Sequence, residues 1–205
     1  MKYTIIAFDL QGTLSDSAFS DEFWMETLPL LYSKHNKLSL AQAKEELKAK
    51  FKEYGKYDYR YYSVDYWLKE LNLELKFNEI CKLIKSKPHF YEDSLELIKE
   101  FNKEATLMIL SSTTTDFIKT ELGKNKRYFK HIFSSIDYFN IPGKPKELYL
   151  KIAQNLNISP TKIIYIGNDP EMDITNAKAG GYDTYFFDNN RSREENIREL
   201  KKRLT

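Results

Sequence analysis

Five short runs of continuous apolar residues punctuate the chain: Tyr3–Phe8, Thr106–Leu110, His131–Ile136, Lys162–Ile166 and Thr184–Phe187. Each is rich in Ile, Val, Phe, Tyr or Leu and closes on a polar or glycine cluster. Apolar character without alternation predicts strands buried on both faces, as in a parallel sheet. Between the later runs, apolar residues spaced by three and four predict helices at Leu95–Phe101, Lys146–Leu156 and Asp173–Ala179, the last closed by Gly180 and Gly181. Strand and helix in alternation predict an α/β chain with a Rossmann-like, doubly wound parallel sheet of about five strands.

The stretch from Ser15 to Pro88 breaks this alternation. It carries amphipathic helical patterns and no strand pattern, Ser39–Phe51 being the clearest. The reading is therefore a helical insert, residues 15–88, placed after the first strand of an α/β core formed by residues 1–14 and 89–205. Arg191–Thr205 reads as an exposed, charged last helix with a basic end at Lys201–Arg203.

Composition narrows the functional classes. With 205 residues and 41% hydrophobic content, the chain can bury a substantial core. Its 32 basic and 30 acidic residues leave a net charge of +2, so no global field favours nucleic acid or a membrane surface. No stretch approaches the roughly 20 apolar residues that span a bilayer, and the N-terminal apolar run is broken by Asp9, unlike a secretory leader. A cytoplasmic location is the resulting expectation. The single cysteine, Cys81, excludes an intrachain disulfide and reads as a buried structural thiol. The aromatic run Tyr54–Trp67 mixes two basic with two acidic residues, so packing within the insert, or lining a cleft beside it, fits better than base stacking.

Candidate chemistry lies just beyond the predicted strands, where α/β sheets gather their reactive groups. The first run ends in Asp9-Leu-Gln-Gly-Thr13, with Gly12 permitting a tight turn. The second runs into Ser111, Ser112 and three threonines, whose hydroxyl and backbone N–H groups suit phosphate oxygens. Lys144 stands before Pro145 at a loop-to-helix junction, a compact cation able to balance a phosphate and a carboxylate. The fourth run ends in Gly167, followed by Asn168, Asp169 and Asp173, an oxygen-rich set that suits magnesium. Alone, each signal has an ordinary structural explanation. Their order and their placement after successive strands carry the argument.

This ordered set resembles the haloacid dehalogenase superfamily, whose motifs are a strand ending in Asp-x-Asp-Gly-Thr, a strand ending in Ser or Thr, a Lys, and a strand ending in an acidic pair. The resemblance covers Lys2–Ser17 and about Glu92–Asp188, and the insert stands where that superfamily places a helical cap. It implies that Asp9 is a nucleophile forming an aspartyl-phosphate, and that Ser111 and Lys144, with Gly12, Thr13 and Ser112 nearby, hold the phosphoryl group. It also implies that Asp9, the carbonyl of Gln11 and the Asn168, Asp169 and Asp173 cluster hold Mg2+, and that the cap selects a small phosphorylated substrate.

Two positions depart from the pattern. Gln11 replaces the usual catalytic Asp; its carbonyl can still reach a metal, but its amide cannot exchange a proton at neutral pH. Asn168 stands where a metal-binding Asp is common, with Asp169 one place later, and either can face the ion. The readings that follow are a phosphatase, then a 2-haloacid dehalogenase or a phosphonate-cleaving hydrolase, and, in a different class, a binding or regulatory protein on a catalytically weak scaffold.

Overall fold

The computed structural model describes residues 2–205. The five apolar runs become β1 (Ile5–Phe8), β2 (Thr106–Ser111), β3 (His131–Ser134), β4 (Ile163–Gly167) and β5 (Asp183–Phe186). All pairings are parallel and the order is β3-β2-β1-β4-β5. The third strand ends at Ser134 rather than Ile136, because the Ser134 hydroxyl accepts the Asp137 N–H and starts the helix Ser135–Phe139.

Both faces of the central strands are covered, which explains their unbroken apolar runs. Ile6, Phe8, Leu107, Ile109, Ile164 and Ile166 pack beneath the helices Glu92–Phe101 and Arg193–Leu204. Ile5, Ala7, Met108, Leu110, Ile163 and Tyr165 pack beneath the helix Lys146–Asn155 on the other face. The last helix is thus not the exposed element its charge predicted. Leu200 and Leu204 are buried in the core, Asn196 is buried beside them, and a Ser192–Glu195 capping box starts the helix. Its few apolar residues, spaced by three and four, suffice to dock it.

Residues between Ala18 and Cys81 form helices and turns with a cluster of their own, centred on Phe23, Leu47, Trp67 and Ile80. The helix predicted from Ser39 runs Leu40–Lys52, and Ser39 caps it in a reciprocal box with Gln42. Phe117, from the helix Thr115–Leu122 after β2, completes the cluster, with its ring 5.2 Å from Phe23 and 4.7 Å from Phe77. One aromatic side chain thereby anchors the insert to the sheet-bearing part of the molecule. Cys81 is only half-buried at the edge of this cluster, where burial pushes its thiol up. Among the described residues, no helix is long and apolar enough to cross a membrane.

The chain leaves β1 toward β2 and β3 and later returns to the opposite side as β4 and β5. This reversal opens a crevice at the carboxyl ends of β1 and β4. Asp9 and Gly167 follow directly on the paired residues Phe8 and Ile166, and the Asp9 N–H donates to the Ile166 carbonyl at 2.8 Å.

Candidate active site

The floor of the crevice is a buried chain of charges. Lys144 Nζ donates to Asp9 Oδ1 at 2.7 Å, to Asp173 Oδ1 at 2.5 Å and to the Tyr165 hydroxyl at 3.0 Å. The Tyr165 hydroxyl in turn donates to the Leu110 carbonyl at 2.8 Å. Lys144 is 2% exposed and Asp173 1%, so the ion pairs lie out of water. Burial pushes the Asp9 carboxyl up, to about 6, with Lys144 opposing the rise and Asp173 adding to it. Burial pulls Lys144 down, but Asp173 and Asp9 outweigh it and hold the ammonium charged.

The remaining predicted residues divide between cleft and scaffold. Ser111 and Ser112, at the end of β2, are buried and line the cleft with Asp9, Gln11, Lys144 and Asn168. Gly12 and Thr13 follow Gln11 in the turn after β1 and pack against Asn168. Their work is on Asn168. The Thr13 hydroxyl meets Asn168 Oδ1 at 3.1 Å. Gly12 has φ +77°, and a Cβ there would lie 2.6 Å from the Asn168 amide, so the glycine serves both the turn and the close approach.

Asn168 and Asp169 differ in what their side chains already bind. Asp169 Oδ1 accepts the N–H groups of Glu171 and Met172 at 2.9 and 2.7 Å and so caps the turn Pro170–Thr175. Its other oxygen faces Lys56 at 3.6 Å. Asp173 Oδ2 accepts the Asp169 N–H at 2.9 Å. Asn168 instead points its amide at the Gln11 carbonyl and at Asp9 Oδ2.

The donor set there fits a small divalent cation. Asp9 Oδ2 and the Gln11 carbonyl lie 3.3 and 3.0 Å from the end of the Asn168 amide that bears its oxygen. Octahedral ligands about 2.1 Å from Mg2+ lie about 3.0 Å from one another. The Asn168 oxygen therefore stands from each of the other two at the spacing of neighbouring magnesium ligands. Asp169 stands outside this set, and Asp173 meets it only through Lys144.

Three neighbours carried no motif. Glu121, from the helix Thr115–Leu122, is 4% exposed; its Oε1 accepts the Gln11 amide N–H at 2.5 Å and its Oε2 has no partner. Burial pushes its carboxyl up to about 8, Gln11 opposing and Asp9, Asp16 and Asp21 assisting. The available signal was its position in the buried stripe Phe117, Ile118, Glu121, Leu122. Tyr165 was hidden inside an apolar strand. Lys56, one lysine among many in the insert, reaches across to Glu171 at 2.7 Å.

The insert roofs a cleft of about 440 Å³ with Trp24, Met25, Phe51, Tyr61, Tyr62 and Trp67. The aromatic run thus both packs and lines. Trp67 is buried and donates to the Arg60 carbonyl at 2.7 Å, whereas Tyr61 is 48% exposed.

The haloacid dehalogenase-like hydrolase family model matches residues 3–181. The chain belongs to this family. Within it, GMP/IMP nucleotidase YrfG of Escherichia coli K12 is 22% identical over 167 residues, 78% of this chain and 72% of the nucleotidase. A haloacid dehalogenase-like phosphatase from Thermococcus onnurineus superposes with a TM-score of 0.78 at 22% identity, over 100% of this chain and 98% of that one. The hydrolase YfnB from Bacillus subtilis, solved bound to magnesium, superposes at 0.62 with 20% identity, over 91% and 89%. At such identities the structural likenesses establish the shared fold.

Proposed function

We propose that this chain is a magnesium-dependent phosphatase in which Asp9 accepts the phosphoryl group of a small substrate. The observation that carries the reading is the buried Asp9–Lys144–Asp173 chain opening into a roofed cleft. An Asp9 carboxylate oxygen forms a bond to phosphorus while the ester P–O bond breaks, and the leaving oxygen departs with the electron pair as an alkoxide or aryloxide that takes its proton from water. Water then forms a bond to the phosphorus of the aspartyl-phosphate. The bond to Asp9 breaks, inorganic phosphate leaves with a proton released to solvent, and the carboxylate returns.

Lys144 and the hydroxyl and backbone groups of Ser111 and Ser112 balance the phosphoryl oxygens. Asp9, the Gln11 carbonyl and Asn168 would hold Mg2+, which supplies charge neutralisation when bound. The helical insert acts as the cap that selects the substrate.

The leaving group decides how well this works. Gln11 cannot donate a proton, and its amide is tied back to Glu121. Other proton carriers lining the cleft are poor acids: hydrogen bonding to Glu171 raises Lys56, and burial raises Tyr62. The cleft therefore favours a leaving group that needs little protonation, and its aromatic roof fits a planar one. The nucleotidase relative acts on GMP and IMP; for this chain a nucleoside monophosphate fits the roof but, as an alkyl ester, not the missing acid.

The alternatives fit less well. A phosphonate-cleaving Schiff base needs a neutral lysine, and Lys56 is held charged by Glu171 and Asp169. In the insert, Arg60, the group a halide would need, is paired with Asp58 and stacked 4.0 Å over Tyr54. The Gln11–Glu121 tie favours a catalytically weak binding protein as second reading.

A panel of aryl and alkyl phosphates assayed with magnesium tests all of this. The expected result is turnover that falls steeply as leaving-group basicity rises, abolished by Asp9→Asn. Gln11→Asp should raise alkyl-ester rates by about 10²-fold or more. Turnover retained in Asp9→Asn removes the nucleophile assignment. Binding of a phosphate mimic without turnover of any ester selects the second reading.

A further inference from the structure

Asn168 sits where its side-chain amide can be used either way round. With oxygen inward, that atom faces two more acceptors, the Gln11 carbonyl at 3.0 Å and Asp9 Oδ2 at 3.3 Å. Three acceptors facing one another repel unless a cation lies among them. With the amide turned over, its nitrogen donates to both of those groups and to the Thr13 hydroxyl. The Thr13 hydroxyl serves both states, since it donates to the amide oxygen at 3.1 Å or accepts from the amide nitrogen. Gly12, lacking a Cβ, leaves room for the end of the amide that points away.

Charge sets the balance between the two states. Asp173 is committed to Lys144 and to the Asp169 N–H, and Asp169 to its cap and to Lys56. Among the described residues, Asp9 brings a formal negative charge to the Asn168 amide and the Gln11 carbonyl, and Lys144 shares it. A set of one shared carboxylate and two neutral oxygens is weak for Mg2+, which ordinarily draws on one or two carboxylates together with phosphate oxygens.

We propose that Asn168 is a two-way latch: its amide nitrogen closes the empty site on Asp9 and Gln11, and its oxygen turns inward only when a divalent cation arrives together with a phosphoryl anion. The inference rests on the phosphatase reading for the anion, but the role of the amide does not. It makes the two ligands reciprocal, each tightening the other by the same factor. It also gives Asp9 Oδ2 and the Gln11 carbonyl a donor in the metal-free protein.

The test is calorimetric titration of MgCl2 into the intact wild-type protein and into Asn168→Asp, with and without orthovanadate, alongside metal-free melting curves. In the wild type, orthovanadate should tighten Mg2+ at least tenfold. Without the anion, Asn168→Asp should bind Mg2+ at least tenfold more tightly than the wild type. Metal-free, it should melt lower, because a carboxylate then faces Asp9 and the Gln11 carbonyl, and Mg2+ should restore it. Equal Mg2+ affinities for the two proteins without anion overturn the latch, as does an Asn168→Asp protein that melts like the wild type without metal. Orthovanadate that binds yet leaves Mg2+ affinity unchanged overturns the coupling. If orthovanadate binds neither protein with or without Mg2+, the phosphoryl reading and the coupling both fall, while the anion-free comparison still decides what the amide does.

Discussion

Two lysines in this molecule each bridge two carboxylates, and they make opposite use of the same chemistry. Lys144 spans Asp9 and Asp173 on the cleft floor, with side chains 3%, 12% and 1% exposed. Lys56 spans Asp169 and Glu171 at the rim, with side chains 35%, 31% and 54% exposed. On the floor, removing one charge leaves the others stranded in low dielectric, so the set stands or falls together. At the rim, water screens each charge and the pairs can part and reform. The floor is thus held as one unit. The rim, which joins the insert to the loop after β4, is built to let go.

The sharpest way to break this comparison is to neutralise each lysine. Lys144→Met should destabilise the fold by about 3–5 kcal/mol, as expected when a buried pair loses one partner. Adding Asp173→Asn should recover most of the loss, because the stranded charge goes with it. Urea unfolding of the single and double variants measures both effects. If Lys144→Met costs no more than removal of Lys56, burial is not what separates the two sites.

The same contrast explains what could be read from the chain. Lys144 was legible because strand-end residues arrive in a fixed order and the sheet puts them together: Asp9 after β1, Ser111 closing β2, Asn168 and Asp173 after β4. Continuous apolar runs marked β1, β2 and β4 because both of their faces are covered, and the edge strands β3 and β5 carried enough apolar residues to be read with them. Lys56 was illegible, since it comes from a helical insert whose pose depends on packing around Phe117 rather than on any local pattern. The last helix was misjudged because three apolar residues among many charges carry its docking. Telling Asn168 and Asp169 apart needed the turn's hydrogen bonds, which one residue of spacing does not reveal.

Glu121 extends the comparison to a buried carboxyl with no cation beside it. Its folded value is raised to about 8, against roughly 4.3 for an unperturbed Glu. A raised folded value contributes stability that is full below the unfolded value and is lost as pH climbs through the folded one. Metal-free wild type should therefore lose stability between about pH 4.5 and 8 relative to Glu121→Gln, whose amide can still accept from Gln11. The relative gain of the variant from pH 5 to pH 8 should be on the order of 2–4 kcal/mol. Urea midpoints at the two pH values measure it. A pH-independent difference would mean that Glu121 ionises freely and that the Gln11 tie is a charged one.

The rim should respond in kinetics rather than in stability. Lys56→Ala removes a cation that two exposed carboxylates can replace with water, so the melting temperature should stay within about 2 °C of the wild type. Yet Lys56 lines the same cleft as Asp9, and its backbone carbonyl accepts from the Tyr62 hydroxyl at 2.9 Å. Losing its charge should raise KM for an anionic aryl phosphate a few-fold with little change in kcat. It should also flatten the rise of KM with added salt, because the screened attraction is gone. A fall in kcat with unchanged KM would move Lys56 from the rim to the chemistry and place both lysines in one functional unit.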